Sequence, residues 1–366
     1  MNADKLLHPI QVGNLSLPNR IFMAPLTRQR ASQPGNVPTA LNATYYAQRA
    51  SAGLIVTEAT QVMPEGQGYA WTPGMHTDAQ QAGWKLVTDA VHAAGGHIAL
   101  QLWHVGRISH RHVQPDGKLP VAPSAVQANA QTFVVHPDGS MGMVQTDLPR
   151  ALKVEELPGI VAAFRAAARR AIDTGFDFVE IHGANGYLLD QFQSTGPNQR
   201  TDAYGGSVEN RARLTLEVVD AIVAEIGAAR TGIRLSPFGT FNDIADTEAE
   251  AMAFYLTEQL DARKLAYVHI AEPDWAGGPQ LADAFRAALR QRFKGTLIFA
   301  GGYTLEKAEA LIASGVGDAV AFGRPFIANP DLPARFAKGA ELNAPDASTF
   351  YGGADKGYTD YPSLAS

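Results

Sequence analysis

The feature that most constrains the fold of this chain is an alternation of two kinds of segment. Eight short apolar runs recur, at residues 21–25, 54–58, 98–103, 178–182, 232–236, 267–271, 296–300 and 319–323. Among and after them lie stretches with apolar residues at helical spacing, at 39–50, 80–94, 154–174, 208–226, 247–260, 282–292, 305–313 and 332–338. Strands that read as continuous apolar runs are buried on both faces, the condition of parallel strands covered by helices. Eight strand-then-helix units predict an α/β fold, a single (β/α)8 TIM barrel spanning residues 1–366 as one domain. The rival is an open doubly wound sheet, which has checkable nucleotide-binding signatures. No G-x-G-x-x-G follows the first run and no G-x-x-x-x-G-K-[ST] occurs anywhere, so the barrel is preferred.

Three parts fall outside the repeat. Residues 7–18 alternate around Gly13-Asn14, predicting an N-terminal hairpin that plugs the barrel's bottom. Residues 105–150, after the third strand, form an insertion rich in Pro, Gly and Gln, and its length predicts a lid. The tail at 349–362 is aromatic and glycine-rich and is expected to fold back on the body.

Composition removes several function classes. A net charge of −6 offers no attraction to nucleic acid or anionic membrane. With no cysteine there is no disulfide, thiolate metal site or Cys nucleophile. No apolar run approaches the ~18 residues needed to cross a bilayer, and the first residues lack a basic segment followed by an apolar one. The expectation is a cytoplasmic enzyme acting on small molecules, as a monomer or homodimer, with no metal.

The chemistry concentrates where strands end, because ligands of a barrel bind at the carboxyl edge of its strands. The fourth run ends in His182, followed by Asn185 and Tyr187, with Gly183 and Gly186 between them. His and Asn can donate two converging hydrogen bonds to one carbonyl or nitro oxygen, and Tyr is a proton donor. Each has an ordinary reading in isolation, as a core histidine, a turn residue and a core aromatic; the cluster favours a reaction centre. Other strand ends carry Pro25 and Thr27, Ala59, Gln101 with Trp103, Arg234, Gly301-Gly302, and Gly323-Arg324. Gln101 offers an amide face to a ring edged with N–H and C=O groups, and Arg234 a fixed cation where a reduced ring gains negative charge. Glycines after the seventh and eighth strands, with Arg324, suit a phosphate. A phosphate beside a flat polar-edged ring describes a flavin mononucleotide. His110 and His112 lie in the insertion with no third ligand at useful spacing, so they read as solvated lid residues.

These motifs carry a resemblance. Ala24-Pro-Leu-Thr-Arg28, Leu100-Gln-Leu-Trp-His-Val-Gly-Arg107, Ile181-His-Gly-Ala-Asn-Gly-Tyr-Leu-Leu-Asp-Gln-Phe192, Asn198-Gln-Arg-Thr-Asp-Ala-Tyr-Gly-Gly206, Ile233-Arg-Leu-Ser-Pro237 and Ala321-Phe-Gly-Arg-Pro325 resemble the Old Yellow Enzyme family, in order and over nearly the whole chain. The match is strongest to the bacterial ene-reductases that include N-ethylmaleimide and nitrate-ester reductases. Thr27, where another branch has Cys, agrees with that group.

The resemblance implies non-covalent FMN, reduced by NADPH or NADH, which then reduces activated C=C bonds of α,β-unsaturated carbonyls and maleimides, with nitro compounds or nitrate esters as further acceptors. Carried over, Thr27 bonds the flavin C4 carbonyl, Gln101 and Arg234 hold the pyrimidine edge, Pro25 and Ala59 line the ring, and Gly301, Gly302, Gly323 and Arg324 take the phosphate. His182 and Asn185 grip the substrate oxygen, hydride passes from flavin N5 to the β-carbon, and Tyr187 protonates the α-carbon. Tyr69, Trp103, Trp275 and Tyr351 are expected to wall the pocket. Many bacterial relatives have a second His where this chain has Asn185. Two other classes of flavin barrel fit the residues less well. A barrel dehydrogenase oxidising amines would carry a flavin-linking Cys or an iron–sulfur cluster, which a cysteine-free chain cannot. An FMN-binding sensor without turnover would have no use for Tyr187.

Overall fold

The computed structural model describes residues 4–364. Eight parallel strands, Ile21–Met23, Ile55–Val56, Ile98–Trp103, Phe178–Gly183, Thr231–Leu235, Tyr267–Ala271, Thr296–Ala300 and Ala319–Phe322, pair in sequence order. The ring closes because the eighth strand also pairs with the first, Val320 opposite Ile21. The (β/α)8 TIM barrel is therefore the observed fold.

Every residue of the third to eighth strands is buried, as the continuous apolar runs require for strands covered on both faces. The second strand is shorter than its apolar run. Pairing stops after Val56 and resumes at Thr60–Gln61, which adds to the upper part of the third strand. The break frees Glu58 and Ala59 from the ladder just at the barrel mouth.

Helix limits follow local capping more than hydrophobic periodicity. The first helix is Ala40–Ala47, with Thr39 and Asn42 forming a capping box; the next is Asp78–Ala93, begun by the reciprocal pair Thr77 and Gln80. Leu157–Thr174 starts after a 3-10 turn at Val154–Glu156 and stops at Gly175, whose φ of 104° is the left-handed end of a helix. Two short helices, Leu188–Gln193 and Arg324–Ala328, follow the fourth and eighth strands and have no counterpart in the periodicity reading.

The N-terminal hairpin pairs Ile10–Val12 with Leu15–Leu17 and packs Ile10, Val12 and Leu17 against inward-facing Phe22, Val56, Phe178, Tyr267 and Ile298, stoppering the bottom. The insertion contains its own hairpin, Gln131–Val135 with Met141–Gln145, turning through Asp138-Gly139. It lies against residues 68–71: Ala70 N–H donates to Phe133 O at 2.9 Å, and the Trp71 and Phe133 rings are 5.3 Å apart. The tail does return to the body. Buried Arg28 donates to the carbonyls of Phe350 and Gly357, both at 2.8 Å, and Tyr358 stacks on Tyr45 at 4.0 Å. Among the described residues no helix is long and apolar enough to cross a membrane.

Candidate active site

The barrel mouth carries an aromatic box. Trp103 and His182 end neighbouring strands, and their rings lie 6.0 Å apart and nearly parallel. Tyr187 meets both edge-on, at 4.7 Å from Trp103 and 5.0 Å from His182. Tyr69 stacks along Trp103, and its hydroxyl is 3.3 Å from that of Tyr187. Ala59, freed by the break in the second strand, packs in the same cluster. Tyr351 comes from the returned tail, close enough for its phenol to raise the Tyr187 pKa, and is the most exposed member of the group.

Asn185 and Gly186 both adopt left-handed backbone, with φ of 56° and 77°. Asn tolerates that region and Gly is free in it. A Cβ on Gly186 would lie 2.6 Å from Asn242 Cβ, so the position admits little else. The Asn242 amide donates to Asn185 O at 2.9 Å and lies near enough to the phenols of Tyr69 and Tyr187 to work against the rise in their pKa values.

Below the box is a buried polar layer. Glu180 and His269, both fully buried, are linked at 3.0 Å, and Gln101 donates to the other Glu180 oxygen at 2.7 Å. Burial works to raise the Glu180 carboxyl, but His269, Arg234 and Gln101 outweigh it and hold it below the usual carboxylate range. Arg234 is opposite His182 in the strand register. Desolvation, then the nearby Arg234 and His269, push the His182 pKa well down, so its imidazole is neutral. Desolvation is the main cause of the Tyr187 rise, to about 12, which keeps the phenol protonated.

The 24–29 segment is held from behind by another buried carboxylate. Glu58 Oε2 accepts from Arg28 N at 3.1 Å and Gln29 N at 3.3 Å, which sets half-buried Pro25 and Thr27 at the mouth. Gly301 and Gly302 lie near Gly323 and Arg324 because the seventh and eighth strands pair. One feature differs from expectation: Gly302 N–H is already taken, donating to Asp274 at 2.9 Å. A phosphate would share that end with a carboxylate, leaving exposed Arg324 as its cation. Trp275 stands apart from the aromatic box, tilted against Phe241 with ring centres 4.9 Å apart, across a narrow cleft from Asn185. His136 joins His110 and His112, its ring 4.9 Å from His112, a neighbour the linear spacing did not show. Among the described residues no three such groups are arranged to hold a metal ion.

The mouth fits a flat polar ring. His182 Nδ1 and Arg234 Nε are buried and have no hydrogen-bond partner in the protein. Leaving such atoms unpaired costs roughly 1–3 kcal/mol each, so they mark places for a ligand's acceptors. Glu180, His269 and Asn242 were not singled out from the sequence, and Glu58 stood there only as a strand-end residue without a role. The buried Glu of the Val-Glu-Ile-His strand was the one legible signal, since a carboxylate inside an apolar run must find partners.

A closed barrel with buried unpaired donors at its mouth suits a flat ring edged with acceptors, as a flavin is. Residues 5–343 match the NADH:flavin oxidoreductase / NADH oxidase family. Morphinone reductase, solved with tetrahydroNAD, superposes with a TM-score of 0.95 at 59% identity over 98% of both chains. The old yellow enzyme homologue from Zymomonas mobilis gives a TM-score of 0.93 at 44% identity, over 98% of this chain and 99% of that one. The rice (Oryza sativa subsp. japonica) 12-oxophytodienoate reductase 1 is 48% identical over 99% of this chain and 94% of its own. The chain belongs to the Old Yellow Enzyme family, and it is an oxidoreductase using FMN and a nicotinamide reductant.

Proposed function

We propose that this protein is an NAD(P)H-dependent ene-reductase of α,β-unsaturated carbonyls and maleimides, with nitro compounds as further acceptors. The observation that carries this reading is the convergence of neutral His182, the Asn185 loop and protonated Tyr187 on one mouth, above unpaired Arg234. Relatives named as reductases of 12-oxophytodienoate and morphinone support it.

FMN bound at this mouth would supply the redox chemistry, hydride transfer between a nicotinamide and the substrate's β-carbon. Thr27, Gln101 and Arg234 would hold its ring, with Pro25 and Ala59 alongside; Gly301, Gly323 and Arg324 would hold its phosphate, with Gly302 joining them where its N–H leaves Asp274. His182 and Asn185 donate to the substrate oxygen. Charge builds on that oxygen as the alkene is reduced, so donors fixed in a dry site stabilise the transition state more than the ground state. A neutral imidazole carries one N–H, enough for this role, without the cost of burying a cation. Tyr187 gives its proton to the α-carbon. Its high pKa keeps the donor form populated, and the carbon it protonates is a far stronger base. Trp103, Tyr69, Tyr351 and, across the cleft, Trp275 wall the pocket; the 105–150 insertion, hydrogen-bonded to the Tyr69 segment, covers one side.

The test is product analysis. Protein with FMN, NADH or NADPH and 2-cyclohexenone under argon should yield cyclohexanone. Enone recovered intact, while the same preparation consumes the nicotinamide in air, would reduce the protein to an oxidase.

A further inference from the structure

We infer that Asp190 and Ser236 are positioning residues, which aim Asn185 and Tyr187 by clamping two consecutive backbone amides; this rests on the oxygen-clamp reading of that loop.

The loop has a problem to solve. Two residues in succession, Asn185 and Gly186, are left-handed. That conformation points successive N–H groups to one side and leaves them outside any strand or helix ladder. The helix that follows, Leu188–Gln193, is only six residues long and cannot hold the loop by its own cooperativity.

Asp190, on that helix and buried, meets both amides. Its Oδ2 accepts directly from Gly186 N at 2.8 Å. The same oxygen accepts from Ser236 Oγ at 3.2 Å, and Ser236 Oγ in turn accepts from Asn185 N at 2.7 Å. Ser236 follows the fifth strand, which carries Arg234, so the relay ties the oxygen clamp to the strand that supplies the cation. Around it, Gln191 Nε2 donates to Gly186 O at 2.8 Å and Asn242 to Asn185 O. The backbone polar groups of the left-handed pair are thus satisfied by side chains.

The charge of Asp190 is not the point of the device. Burial pushes its carboxyl up to about 7, with Asp246 adding to the rise, so both protonation states occur near neutrality. Ser194 Oγ donates to Oδ1 at 3.5 Å, and its hydroxyl can turn to accept a hydrogen bond when Oδ1 carries the proton. Oδ2 remains an acceptor in either state. An amide in place of the carboxyl would keep the same geometry, its oxygen toward Gly186 and its NH₂ toward Ser194.

The experiment uses the FMN-loaded holoenzyme and titrates it with phenol, following the visible flavin spectrum. Phenolate mimics the enolate oxygen that His182 and Asn185 are read to grip. Ser236→Ala should weaken phenol binding about tenfold, the loss of one well-aligned bond, and slow enone reduction in proportion. FMN content should stay unchanged. Ser236→Thr should restore most of the affinity. Asp190→Asn should stay within about twofold of the wild type, and Asp190→Ala should lose at least as much as Ser236→Ala. Wild-type affinity in Ser236→Ala, or equal losses in Asp190→Asn and Asp190→Ala, would overturn the inference. Wild-type enzyme that binds no phenol would instead count against the oxygen-clamp reading itself.

Discussion

Replacing Tyr187 with Phe removes one oxygen and leaves the packing of the aromatic box almost untouched. The ring is buried, 7% exposed, and lies edge-on to Trp103 and His182, contacts that Phe keeps. The loss is therefore chemical. A positioned general acid contributes about 10²- to 10⁴-fold, and bulk water has little access to a phenol so deeply placed. The Tyr69 hydroxyl, 3.3 Å from that of Tyr187, is the nearby phenol that could deliver a proton in its stead. We expect the oxidative half-reaction with 2-cyclohexenone to slow about 10³-fold, equivalent to ~4 kcal/mol, while flavin reduction by NADH stays within about threefold. Tyr69→Phe alone should cost only about fivefold, the worth of one neutral hydrogen bond. Burial pushes the Tyr187 pKa up to about 12, so its donor form persists throughout neutral pH. The oxidative rate constant should be level from about pH 6 to 10 and fall above that as the phenol ionises. Anaerobic stopped-flow measurement of each half-reaction separates the two effects. Equal slowing of both steps in Tyr187→Phe would refute the proton-donor assignment.

Further consequences concern the clamp, the loop and the buried acids. His182→Ala should weaken phenol binding to the oxidised holoenzyme by about tenfold or more; unchanged affinity would remove His182 from the oxygen clamp. Gly186→Ala forces a Cβ to 2.6 Å from Asn242 Cβ and 2.7 Å from Phe241 O at a φ of 77°, so it should cost roughly 3 kcal/mol in urea unfolding; a loss below ~1 kcal/mol would show that the loop is free to rearrange. Burial raises the Glu58 carboxyl from 4.5 to about 7 in the folded state. A raised acid favours the fold below its unfolded pKa, and that contribution, about 3 kcal/mol, is lost as pH rises through 7. Glu58→Gln should flatten this part of the stability curve, leaving the similar fall from Asp190; an unaltered slope between pH 5 and 8 would contradict the shift.

The barrel was legible because its strands are buried on both faces, which leaves apolar runs with no alternation to confuse them. That His182, Asn185 and Tyr187 come together at the mouth was legible because they follow directly on the end of a buried strand. What escaped reading depends on contacts between distant segments. Asp190 and Ser236 are 46 residues apart and meet only when the fourth and fifth strands pair. Glu180 and His269, 89 residues apart, form their pair across the barrel interior. The insertion hairpin carried a local signal, Asp138-Gly139 between β-branched and Met-rich strands, but its exposed, weakly apolar outer face hid the pattern. The Asp274 carboxylate on Gly302 N–H could not be foreseen either, since glycines after two strands say only that a backbone is accessible.

The most direct test of the account is one anaerobic titration of the purified protein, following the visible spectrum while NADH or NADPH and then 2-cyclohexenone are added. The account predicts a yellow protein that bleaches with the nicotinamide and regains its full colour with one equivalent of enone. Bleaching that the enone does not reverse would contradict it.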